Sequence, residues 1–183
     1  MPLTLRYYGD PVLRTAARSV RPPDPDLARL AADMIATMRA SEGVGLAAQQ
    51  IGETRAICVV EVPADYDQDA AGQRINPDLP PMPLVLLNPE IHTLSDKTDS
   101  REEGCLSFPD IRGKIDRALE IGVRYLDLDG HAHDVTVRGF AARVIQHEVD
   151  HLNGVLFIDR MSVAKRFALK GRLAKLKAAT AGG

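Results

Sequence analysis

The hexapeptide Gln146-His147-Glu148-Val149-Asp150-His151 constrains this 183-residue chain more than any other stretch. Read as a helix, it sets His147 and His151 one turn apart on one face, because residues i and i+4 stack along the axis. Two imidazoles at that spacing can share one metal ion, with Glu148 beside them to handle protons. On its own the His-Glu-x-x-His pattern is short, and a solvated histidine pair accounts for it equally well. Val144, Ile145, Val149 and Leu152 interleave with the histidines, which predicts a helix buried on several sides. Buried imidazoles need partners, and a metal is one. The helix is expected to begin near Gly139-Phe140 and to stop at Asn153-Gly154. A catalytic metal usually takes three protein ligands and keeps a position for water, so a third ligand must come from elsewhere in the chain.

The length suffices for one domain with a real core. With 45% hydrophobic and 26% charged residues and a net charge of −2, the composition is that of a soluble globular protein, and direct DNA binding is not expected. No run of about 18 apolar residues is present, so no membrane span is predicted. Met1-Pro2-Leu3-Thr4-Leu5-Arg6 has neither the apolar run of a signal peptide nor the Arg/Ser-rich lead of a transit peptide. The two cysteines, Cys58 and Cys105, are too few for a disulfide framework. These features together predict a cytoplasmic protein.

From the N-terminus, residues 1–23 read as an irregular lead with turn chemistry at Gly9-Asp10-Pro11. Asp24 then caps a helix whose apolar face runs Leu27, Leu30, Ala31, Met34, Ile35 and Met38, ending before Gly43. The uncharged stretch Gly43 to Gly52 lacks the lysine of a phosphate loop. It reads either as a tight loop under the core or as a substrate-lining segment in which Gln49 or Gln50 polarises a carbonyl. Arg55–Val60 and Leu84–Leu87 read as strands, the second ending in a turn at Asn88-Pro89. Cys58 reads as a small core residue. Between them, residues 63–83 hold five prolines and four aspartates against one arginine, the composition of a surface excursion.

Leu119–Tyr125 alternates as a half-buried strand should, and its phase slips at Leu126, which predicts a bulge near 125–126. Asp129-Gly130 signals a hairpin returning through Val135-Thr136-Val137. His131 and His133, near that turn, are expected to be solvated. From Met161 onward there are six Lys/Arg and no acid, threaded by Val163, Phe167, Leu169, Leu173 and Leu176. This reads as a solvated, partly docked helix with a glycine tail, or as a basic arm for a polyanionic partner. Cys105, within Glu103-Gly104-Cys105-Leu106-Ser107, has three readings: a core thiol, a nucleophile, or the missing thiolate ligand.

Three motifs occur complete and in order: Gly43-Val44-Gly45-Leu46-Ala47-Ala48-Gln49-Gln50, Glu103-Gly104-Cys105-Leu106-Ser107 and Gln146-His147-Glu148-Val149-Asp150-His151. With Tyr8-Gly9-Asp10-Pro11-Val12-Leu13-Arg14, they resemble the motifs of the peptide deformylases, and the resemblance runs to about Asp159. It implies that Cys105, His147 and His151 hold one divalent metal, Fe²⁺ in cells and Zn²⁺ or Ni²⁺ as purified. It implies that Glu148 is the general base and acid, and that Gln50 and the Leu106 N–H form the oxyanion hole. Gly45 would hydrogen-bond the substrate backbone, and Arg112 would stand at the mouth. The substrate implied is the formyl-methionine of nascent chains, the product formate, with ribosome docking through the basic C-terminal segment.

Methionine preference implies an apolar pocket, for which Val44, Phe140 and Val144 are the candidates from their sequence closeness to the ligands, with the Arg143 stem as further wall. Glu103 and Asp150 adjoin ligands, so each is expected either to orient a histidine or to form an ordinary surface ion pair. A peptidase of the His-Glu-x-x-His kind and a non-catalytic metal-stabilised module on the ribosome are the competing readings. The cysteine ligand argues against the first, an intact Glu148 and Gln50 against the second. The expected fold is α+β: a single 1–183 domain of antiparallel strands around the metal helix, the 24–40 helix outside and a basic extension at 161–183.

Overall fold

The computed structural model describes residues 3–181, so Met1-Pro2 and the terminal glycine pair lie outside the described residues. In chain order the elements are α1 (Pro25–Ala40), β1 (Gly45–Ala47), β2 (Ile57–Val60), β3 (Leu84–Leu94), β4 (Thr98–Gly104), β5 (Arg112–Ala118), β6 (Glu120–Leu126), β7 (Ala132–Arg138), α2 (Gly139–Leu152), α3 (Val163–Ala168) and α4 (Lys170–Ala181). One antiparallel sheet has the order β1-β2-β3-β6-β7, and β4-β5 form a separate hairpin.

β2 is apolar at every position because both faces of the sheet are covered. Cys58 and Val60 point into a core shared with Val144, Ile145, Val149 and Leu152 of α2. Ile57 and Val59 point the other way, toward Leu27, Leu30, Met34 and Met38 of α1. The Asp24 carboxylate caps α1 by accepting from the Asp26 N–H at 2.8 Å. α2 begins at Gly139, whose φ of +65° makes a sharp turn out of β7 that a side chain would strain. It ends at Asn153, and Gly154 follows at φ +70° with its α-carbon against the Arg14 backbone. Every residue of α2 from Ala141 to Leu152 is buried. A third core, with Phe108, Ile115, Phe157 and Leu173, fastens the β4–β5 hairpin and α4 to the segment that follows α2.

Two sequence expectations fail in the sheet. Asn88-Pro89 does not end a strand: β3 continues to Leu94, with Asn88 at φ +49°. β6 carries no bulge at 125–126, since it pairs with β7 without interruption from Glu120–Arg138 to Leu126–Ala132. The irregularity lies in the facing strand. Leu87 pairs with Leu126 and Glu90 with Arg124, so β3 spends one residue more than β6 there. The phase slip has a different cause: Tyr125 joins the α2 side of the sheet while Leu126 and Leu128 pack toward α1. The basic C-terminal segment is two helices, not one. α3 buries none of its residues, and α4 docks through Leu173.

The 63–83 excursion is tied down at one buried amide. The Asn76 side chain accepts from the Arg138 N–H at 2.7 Å and donates to the Arg138 carbonyl at 3.1 Å and to Asp67 at 2.7 Å. It thereby extends β7 by one false rung, immediately before α2 begins. Asn76→Ala would strand the Arg138 N–H and an Asp67 oxygen. The expected cost is about 1–3 kcal/mol in urea unfolding, with faster proteolytic cleavage inside 63–83.

Candidate metal centre and active site

α2 delivers two imidazoles to the end of the β4–β5 hairpin. The His147 and His151 rings lie edge to face with centroids 5.0 Å apart. Cys105, one residue beyond β4, sits with its Sγ 3.3 Å from His151 Nε2. One ligand atom from each of Cys105, His147 and His151 falls within a 4.8 Å circle. His147 turns its Nδ1 to Glu103 Oε2 at 3.1 Å, which leaves its Nε2 for the cluster. Burial, together with the positive charges nearby, holds the His151 pKa well below the ordinary histidine value. A soft thiolate and two imidazoles at these separations fit one borderline divalent ion. Of the three readings of Cys105, this geometry supports the metal ligand.

Glu148 lies on the cavity side of the cluster. A β-carbon built on Gly45 would stand 2.3 Å from Glu148 Oε1, so the glycine is what allows β1 to run against this carboxylate. Glu148 Oε2 is buried without a partner. Burial pushes the carboxyl up, with Glu103 and Asp150 adding to the shift and His147 and Arg117 opposing it, to about 7. A group poised near neutrality can both take and give a proton.

The two glutamines of the first motif part company. Gln49 is buried and donates to the Thr15 carbonyl at 3.1 Å, a structural tie between the N-terminal lead and the core. Gln50 accepts from the Ala47 N–H at 2.8 Å through its oxygen. That bond fixes the amide orientation and turns Nε2 toward Cys105 Sγ at 3.5 Å. A cavity of about 590 Å³ opens over this point, lined by Val44, Gly45, Gln50, Cys105, Leu106 and Arg112 on one side. Phe140, Arg143, Val144, His147 and Glu148 line the other. Of the residues expected to make up the site, His151 is buried beneath the cavity and Gln49 and Asp150 do not border it, while the others line it.

Behind the histidines lies a buried ion network that sequence reasoning only partly found. Arg117 grips Glu103 with two bonds of 3.1 Å and reaches Asp150 at 2.5 Å. Arg143 donates to Glu103 at 2.5 Å and to the Asp99 carbonyl at 2.9 Å. Glu103 orients His147 as expected. The Asp150 carboxylate hydrogen-bonds neither histidine; it neutralises Arg117 and the half-exposed Arg160. The sole legible signal for Arg117 was its parity with Ile115 on β5, which puts both on the inward face. His131 and His133 remain at the hairpin. Both contact the Asp127 carboxylate, and His133 also stacks on Tyr125 with ring centroids 4.8 Å apart, so they are partnered, not merely solvated.

A ligand triad, an acid–base carboxyl and an oriented amide around one cavity are the equipment of a metal-dependent hydrolase. The polypeptide deformylase family model matches residues 2–167, and the chain belongs to that family. It is 46% identical to the peptide deformylase of Opitutus terrae, over 99% of this chain and 97% of that protein. It is 42% identical to the peptide deformylase of Thermotoga petrophila, over 92% and 93%. Among solved structures, the peptide deformylase of Ehrlichia chaffeensis aligns with a TM-score of 0.84 at 34% identity, covering 96% of each chain. The Synechococcus elongatus enzyme, solved in complex with actinonin, gives 0.79 at 36% identity over 93% of this chain and 88% of that one.

The Glu103 carboxyl generates a pH dependence. Burial raises its pKa, but the hydrogen bonds and charges of His147 and Arg117 outweigh burial and bring it from 4.5 to about 2. A depressed carboxyl stabilises the fold above its unfolded value and ceases to do so as the pH falls through its folded value. Wild-type stability in urea should therefore fall between about pH 4.5 and pH 2. Glu103→Gln should lose about 3–5 kcal/mol at pH 7, by leaving two buried guanidinium groups short of charge, and should show a flatter profile across that window.

Proposed function

We propose that this chain carries out its family's reaction on N-formyl-methionyl ends of newly made polypeptides, releasing formate, through the cavity residues named above. The observation that carries the assignment of roles is that Glu148, packed against Gly45, lines the same cavity as Cys105, His147 and Gln50. Cys105, His147 and His151 would hold the ion, which when bound supplies Lewis acidity and acidifies a water toward neutral pH. Glu148 takes the proton of the attacking water and hands it to the leaving amide nitrogen. The Gln50 side-chain N–H and the Leu106 backbone N–H receive the formyl oxygen as its negative charge develops. Gly45 offers backbone hydrogen bonds to the peptide, Arg112 borders the mouth, and Val44, Phe140 and Val144 supply the apolar wall for methionine.

The ion in cells is Fe²⁺, with Zn²⁺ or Ni²⁺ replacing it on purification; one thiolate and two imidazoles accept all three. Residues 1–183 act as one catalytic domain in the cytoplasm, with no helix long and apolar enough to cross a membrane among the described residues. The basic run in 161–177, with Val163 and Phe167 exposed on α3, suits docking on the anionic ribosome surface.

Wild-type protein purified without oxygen should release formate from formyl-Met-Ala-Ser. Glu148→Ala should keep one metal per chain while turnover drops by about 10²–10⁴-fold. Near wild-type turnover in that variant would refute the role given to Glu148. Deleting 161–183 should abolish salt-sensitive co-sedimentation with ribosomes, and unchanged co-sedimentation would remove the docking assignment.

A further inference from the structure

We infer that Tyr66, in the first turn of the 63–83 excursion, sets the side-chain selectivity of the cavity by holding the ring of Phe140 in place. The inference rests on the substrate reading above and adds a residue that does not itself border the cavity. Tyr66 lies in a short 3-10 turn, Ala64–Asp67, and its ring meets Phe140 with centroids 4.8 Å apart and planes at 38°. Phe140 borders the cavity beside Val144. Tyr66 is 54% exposed, so core burial does not explain a large aromatic here.

The turn is not free to drift. Asp67 is buried, and it accepts from Asn76 Nδ2 at 2.7 Å and from Arg74 Nε at 3.1 Å. Asn76 in turn is locked to both backbone groups of Arg138, two residues before Phe140. One anchor thus fixes both rings of the pair: Tyr66 through Asp67, and Phe140 through the start of α2. Phe140 is itself only half-buried, on the first turn of α2, where no preceding turn restrains its ring. An outer aromatic against it narrows the rotamers it can adopt. The wall then tolerates a slender, flexible side chain such as methionine better than a wide, rigid one. Tyr66 is a positioning residue acting through Phe140.

The test compares formyl-Met-Ala-Ser with formyl-Phe-Ala-Ser on wild type, Tyr66→Ala, Tyr66→Phe and Asn76→Ala. The ratio of kcat/KM for the two peptides should fall in Tyr66→Ala by roughly 2- to 12-fold, the range an aromatic pair of this kind carries. The change should fall mainly on KM, with kcat for the methionine peptide held. Tyr66→Phe should restore the wild-type ratio, and Asn76→Ala, which loosens the anchor without touching either ring, should lower it. Calorimetric binding of both peptides to Glu148→Ala and to Glu148→Ala/Tyr66→Ala should show the same loss of discrimination without turnover. An unchanged ratio in Tyr66→Ala, or an equal loss for both peptides, would overturn the inference. If wild type releases no formate at all, the substrate reading fails, and the binding ratio alone decides whether Tyr66 governs selectivity.

Discussion

Glu103 is the charge on which the site's architecture depends. It is the last residue but one of β4, and its carboxylate receives Arg117 from β5 and both Arg143 and His147 from α2. Three elements that share little apolar surface at this point are joined through one buried anion. Such a group would be costly alone, and it is tolerable because every oxygen is paired and the two arginines face Asp150 and Asp99 in their turn. The consequence for chemistry is direct. The hairpin that Glu103 fastens to α2 carries Cys105 two residues later, so the same ion pairs that orient His147 also bring the sulfur to the imidazoles.

The opposite wall is built by the lack of a side chain. β1 is an edge strand, and Gly45 lets it approach Glu148 more closely than any other residue could. The Ala47 N–H of the same strand orients the Gln50 amide toward the sulfur. A carboxyl that burial holds near neutrality therefore shares its cavity with a donor whose direction is set by the backbone. Neither group needs to move for the arrangement to work, which is the meaning of preorganisation here.

The 63–83 excursion shows how a surface segment can be part of such a site. Its composition says only that it is no core element. Its position is held by Leu79 in the core and by Asn76, which mimics a strand partner for Arg138 at the point where the sheet hands the chain to α2. The C-terminal segment is a second surface element, packed on the third core. α4 is held by Leu173, while α3 leaves Val163 and Phe167 at the surface.

Much of this protein was legible in its sequence. The spacing of His147 and His151, the cap at Asp24 and the breaks at Gly139 and Gly154 are local properties, and local backbone physics was enough to place both long helices. The three motifs, through their resemblance to those of the peptide deformylases, marked residues that meet at the cavity. What the linear chain left open was pairing between distant parts. Nothing local distinguishes Gln49 from Gln50, or says that Glu103 orients a histidine while Asp150 serves only arginines. The phase slip at Leu126 looked like a bulge, because a sequence does not show that both faces of a strand are covered. Arg117 went unremarked and Asn76 fell within a surface excursion, because a polar side chain is buried only when its partners arrive from elsewhere. Periodicity and residue type determined the elements and the reactive groups; the tertiary structure decided which buried charge found which partner, because that depends on contacts between residues tens of positions apart.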